Sequence, residues 1–161
     1  MNQHESRKVA MQAVYLANQE PDLTAEEVEA KVVATLNLKQ LSAYSKKLIE
    51  GVLEDRKNLQ SELTSHLKKG WRLERVSQTV VAIMEVALFE INHSDEIDAK
   101  AAVNEALNLC DEFAETKEKP FINGKLAKAI GEDTLNGCFY YAYNYKMRLI
   151  ALYRLPMSLT Q

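Results

Sequence analysis

The chain has 161 residues, a formal net charge of −3 and 27% charged residues. That length supports one domain or two closely packed halves, and it buries enough surface to fold without disulfides or a metal. The slight acidity excludes a protein that is basic all over, but it leaves room for a local basic footprint.

Gly (5) and Pro (3) are scarce, whereas Ala, Leu, Glu and Lys abound, a mix that favours helix. The opening MNQHESRKVAMQ has no apolar run, so it is not a signal peptide. No stretch approaches the roughly 18 apolar residues of a membrane span. Cys110 and Cys138 lie far apart and in no C-x-x-C pair, so they read as reduced thiols, Cys110 as a small buried hydrophobe. The expectation is a soluble, cytoplasmic protein.

In chain order, the first predicted helix runs from about Glu5 to Gln19, with Val9 or Ala10, Ala13, Val14 and Ala17 as its inner stripe. Pro21 and Asp22 break it. Thr24 followed by Glu27 is a capping-box pattern that starts a helix from Ala25 to about Leu36. A third helix follows Ser42, with Leu48, Val52 and Leu59 inward. Leu63 and Leu67 either continue it or form a fourth, and Gly70 ends this first half. Trp71 to Arg75 is a connector, locally basic through Lys68, Lys69, Arg72 and Arg75. Ser77 can cap a helix that runs to Ile91. Its VVAIMEVALFEI is apolar around most of its circumference, which marks a central helix. Two more helices follow the break HSDEID. The first faces Val103, Ala106, Cys110 and Phe113 inward, the second Ile122, Leu126, Ala129 and Ile130. No segment alternates with period two, so the fold is all-α.

The stretch KAAVNEALNLCDEFAETKEKPFINGKLAKA carries the strongest local signals. Asn104 sits on a small-residue face, as a side chain that bonds a neighbouring loop or helix end would. Pro120 suits a first helical position. Gly124 lies within a helix, where it costs about 1 kcal/mol relative to Ala. A close helix backbone or a ligand would account for that. The charged run before Pro120 sits at a helix mouth, where amides favour an anion. Packing and capping alone account for the same features.

The pair A-x-x-A-V-N-E-A-L-x-L and K-P-F-I-N-G-x-L resembles the signature of the NusB family of transcription antitermination factors. WRLERVSQTVVAIMEVALFEI is similar to that family's central helix, and RKVAMQAVY to its opening helix. The resemblance covers roughly residues 5 to 131. It implies two three-helix bundles packed across each other, about 1–70 and 71–131. It also implies a non-enzymatic protein that binds boxA-type RNA of ribosomal RNA transcripts together with the ribosomal protein NusE. Other Nus factors and RNA polymerase would be engaged indirectly, and the resemblance also allows a homodimer.

RNA affinity comes largely from Lys and Arg at phosphates, and unpaired bases are read by stacking and edge hydrogen bonds. Under the resemblance, Arg7 and Lys8 are phosphate candidates, and Gln12 and Tyr15 are base contacts. A second group is Lys117, Lys119, Phe121 and Asn123. Arg75, Glu85 and Phe89 are the expected partner contacts. Changing Arg7 and Lys8 to Ala is expected to weaken RNA binding and leave folding intact. The chain departs from the family pattern in three places: Asn2, Gln3, His4 and Glu5 stand where several Arg are usual, Val80 and Val81 where an acidic–basic pair is common, and Glu85 where an Arg is common. The alternative function is a helical RNA-positioning or scaffold module related to those of ribosomal RNA methyltransferases.

No phosphate-binding Gly-rich loop occurs, and His4, His66 and His93 are scattered with no ligand cluster. The expectation is therefore no enzyme activity, cofactor or metal. Residues 132–161 hold five of the seven tyrosines. This atypical tail reads as an added helix, an exposed aromatic–basic segment, or a frame-shifted end.

Overall fold

The structure is a computed structural model that describes residues 1–93 and 97–131. The expectations for the tail and for Cys138 fall outside the described residues. Seven α-helices form the described chain: α1 (Gln3–Gln19), α2 (Ala25–Thr35), α3 (Ala43–Glu54), α4 (Arg56–Ser65), α5 (Gln78–His93), α6 (Ala99–Phe113) and α7 (Lys119–Ala129). Short 3-10 turns at Leu73–Arg75 and Thr116–Glu118 precede α5 and α7. There is no strand among the described residues.

Side-chain caps set the starts of three helices. Asn2 accepts from the Glu5 amide at 2.8 Å, so α1 begins two residues earlier than the sequence suggests. Thr24 and Ser42 accept from the Glu27 and Ser45 amides at 3.2 and 3.0 Å. Each satisfies an amide that the first helical turn leaves unpaired. Asp55 is the last cap of α3 and the first of α4. The break there moves Leu59 from the third helix, where the sequence places it, onto α4, still buried. Gly70, with φ +89°, makes a turn in the connector between α4 and α5.

Helix α5 is the axis, as its composition predicts. Every residue from Val80 to Glu90 is buried, and α1, α3, α4, α6 and α7 all pack on it. One continuous core includes residues of all seven helices, from Val9 and Val28 through Leu48, Leu59 and Ile83 to Val103 and Ile122.

The close helix approach lies at Gly51, not at Gly124. A Cβ on Gly51 would stand 2.1 Å from Cζ of Phe89, so the glycine is what lets that ring lie on the α3 backbone. A Cβ on Gly124 would meet no neighbouring atom within 4 Å. Helix packing therefore gives no reason for Gly124.

Candidate nucleic-acid interface

Residues three or four apart share one helix face. His4, Lys8, Gln12 and Tyr15 form such a row on α1, and α6 supplies a matching acidic row through Glu105 and Glu112. His4 lies between them, with Nδ1 3.2 Å from Glu105 Oε2 and Nε2 2.6 Å from Glu112 Oε1. Lys8 Nζ lies 3.1 Å from Glu112 Oε2 and 3.6 Å from Glu5 Oε1. The hydrogen bond to Glu112, then that to Glu105, raises the His4 pKa above its usual value. His4 and then Lys8 hold the Glu112 carboxyl below its own.

Farther along α1, Gln12 and the exposed Tyr15 line a pocket of about 150 Å³ with Met11, Thr79 and Phe113. Lys8 Nζ lies 5.9 Å from the centroid of the Phe113 ring. That volume lies below the range of cofactor-sized pockets. Thus Lys8, Gln12 and Tyr15 come together. Thr79, Glu105 and Glu112 join them without having been named as site residues, and so does Phe113, which the sequence read only as inward-facing. The sequence did hold a signal for the two acids, which lie two turns apart on one predicted helix.

Arg7 is corrected by the structure. It is only 3% exposed and presents no surface charge. Its Nε donates to both Glu90 oxygens at 3.0 Å, Nη1 lies 3.8 Å from Glu105, and the guanidinium sits 5.4 Å from the Tyr44 ring centroid. The Tyr44 hydroxyl donates to Glu90, and burial, with Glu90 adding to it, pushes the phenol up to about 12. Removing Arg7 strips a buried carboxylate of its partner, so the double alanine variant is now expected to lose stability as well.

Two expected partner contacts are also corrected. Glu85 is fully buried and Phe89 is only 8% exposed, so neither offers a surface. Asn18 Nδ2 donates to Glu85 Oε1 at 2.7 Å. Burial, partly offset by that bond and by Arg56, pushes the Glu85 carboxyl up to about 6. Arg75 is exposed on the connector.

Around α7 the expected residues divide. Lys117 is exposed and pairs with Glu115 at 3.0 Å. Lys119 is buried and pairs with Asp111 at 2.7 Å, and Asn123 is buried as well. Phe121 is half-buried. Pro120 falls in the first turn, as its missing N–H suggests. Ahead of it, Glu115 and Glu118 cap each other reciprocally, with the Glu115 amide donating to Glu118 at 3.0 Å. That capping box closes the 3-10 turn, while α7 itself, with Glu118 at its N-cap, has no side-chain cap hydrogen bond. Among the described residues no His, Cys, Asp and Glu cluster could hold a metal. No described helix is long and apolar enough to cross a membrane.

The model of the NusB family matches residues 4–130. The transcription antitermination protein NusB of Ligilactobacillus salivarius strain UCC118 is 32% identical over 130 residues, covering 81% of this chain and 98% of the relative. That of Latilactobacillus sakei subsp. sakei strain 23K is 35% identical over 136 residues, covering 80% and 96%. Among solved structures, antitermination factors NusB and NusE in complex with double-stranded RNA include a chain of the same fold. It has a TM-score of 0.69 at 19% identity and covers 81% of this chain and 98% of that one. The described helices lie almost wholly within the matched segment, and the chain belongs to the NusB family.

Proposed function

We propose that this chain is a cytoplasmic, non-catalytic RNA-binding antitermination factor that works with NusE on boxA-type RNA of ribosomal RNA transcripts. Other Nus factors and RNA polymerase engage it indirectly. The observation that carries this reading is the family match over residues 4–130, which takes in all of α6 and α7 and nearly all of α1.

In this reading Lys8 meets a phosphate while Gln12 and Tyr15 meet a base, the chemistry single strands offer. Lys117 and Phe121 form a second contact. Arg7, Lys119 and Asn123 act from beneath, Arg7 by holding α1 on α5. Arg75 faces the partner, and Glu85 and Phe89 shape the core along α5.

The test is fluorescence anisotropy of a boxA-like RNA and a scrambled RNA, with and without NusE, at two salt concentrations. A boxA preference that NusE strengthens and salt weakens is expected. Equal affinity for both RNAs in all conditions overturns the reading. Sedimentation of the free protein reports whether it forms a homodimer.

A further inference from the structure

Trp71 is the single tryptophan of the chain, and it is 55% exposed, unusual for so large an apolar side chain. It follows the Gly70 turn in the connector between α4 and α5. Its ring centroid lies 6.4 Å from that of Phe121, inclined by 34°. Lys125, one turn farther along α7, places Nζ 5.4 Å from the Phe121 centroid.

Lys125 is only 8% exposed. Among the described residues no carboxylate lies within ion-pair reach of it. Burial, then Lys128 and Lys68, hold its pKa below the usual lysine value. Lys128 Nζ itself reaches the His66 carbonyl at 3.5 Å, and Lys69 and Arg72 beside Trp71 are exposed.

The Lys125 side chain is largely buried and two like charges flank it, so an anion that joins it is favoured. An exposed ring next to a half-buried one offers a stacking face for any base. Rings alone would suit an apolar protein segment, but three clustered lysines disfavour one. A duplex keeps its base faces internal, whereas single-stranded RNA supplies both a free base face and regularly spaced phosphates.

We infer that Trp71 and Phe121, with Lys68, Lys125 and Lys128, form a stacking site for an unpaired base of single-stranded RNA, the lysines receiving the flanking phosphates. This rests on the RNA-binding reading above. It adds a site on the α4–α5 connector, a segment that the sequence favours as a polar linker.

Trp71 reports on the site directly, because all tryptophan emission comes from it. The full chain is titrated with a fluorescein-labelled single-stranded oligoadenylate and with its duplex, reading anisotropy and tryptophan emission together. The single strand should quench emission at the same midpoint as the anisotropy rise, and the duplex should not. Trp71→Ala should weaken binding about tenfold and Trp71→Phe less. Lys68→Gln and Lys128→Gln, both at exposed positions, should each lower the salt slope by about 0.7.

An anisotropy rise with unchanged emission and an unchanged affinity of Trp71→Ala overturns the site but leaves the RNA-binding reading standing. No anisotropy change with any RNA overturns both. Emission that responds to NusE but not to RNA overturns the site in favour of a protein contact.

Discussion

Arg7 Nε stands 3.0 Å from both carboxylate oxygens of Glu90, and this buried pair fastens the first helix to the fifth. Removing one partner leaves an uncompensated charge in the core. Arg7→Met should lower stability by about 3–5 kcal/mol in urea unfolding. Arg7→Met with Glu90→Leu should recover most of that loss, because two apolar side chains replace the pair. A single mutant as stable as the wild type would refute the anchoring role.

The two helical glycines should respond in opposite directions. Gly51→Ala drives a methyl into the Phe89 ring and should cost about 1–3 kcal/mol by overpacking. Adding Phe89→Leu should return part of it. Gly124→Ala meets open space and should stabilise by about 1 kcal/mol through helix propensity. Thermal unfolding of both variants checks the pair. Reduced RNA affinity in a stabilised Gly124→Ala protein would show that RNA approaches the backbone there.

Glu85 sets a pH dependence. Its carboxyl is raised from 4.5 in the unfolded chain to about 6 in the fold. Its contribution to stability is therefore fully present below pH 4.5 and is lost as pH rises through about 6. At neutral pH the charged form is buried at a cost of about 2 kcal/mol. Glu85→Gln keeps an acceptor for Asn18 and removes the charge. It should stabilise the protein by about 1–2 kcal/mol at pH 7.5, with the gain vanishing near pH 4.5. A gain that is constant with pH would place the effect elsewhere.

Lys8 is held by Glu112, so a phosphate must displace a carboxylate to reach it. Glu112→Gln should raise RNA affinity severalfold and steepen the salt dependence, as one more cation becomes available to RNA. Lys8→Ala should weaken binding and flatten that dependence without unfolding the chain. Anisotropy titrations at several salt concentrations read both.

Much of the fold was legible because its signals are local. Thr24 with Glu27 and Pro120 each act within one helical turn, and the all-round apolar α5 needs no partner to be recognised. The site was legible only in part. Arg7 and Lys8 are neighbours in the chain but differ by about 100° around the helix, and only the position of Glu90 decides which of them is buried. Gly51 and Gly124 look alike in sequence, and only the Phe89 ring, on another helix, tells them apart. Glu85 and Phe89 read as surface contacts by family analogy, whereas the packing of five helices around α5 makes both interior.

That central position of α5 has a consequence for synthesis. A chain emerges from the ribosome N-terminus first, so α1, α3 and α4 are complete before the α5 they close upon exists. Val14, Val52 and Leu63 are buried in the finished protein, and until residues 80–90 arrive they have no fifth helix to pack against. The nascent first half is thus a short-lived, sticky surface, and a pause within residues 66–79 would prolong its exposure to chaperones and to neighbouring chains.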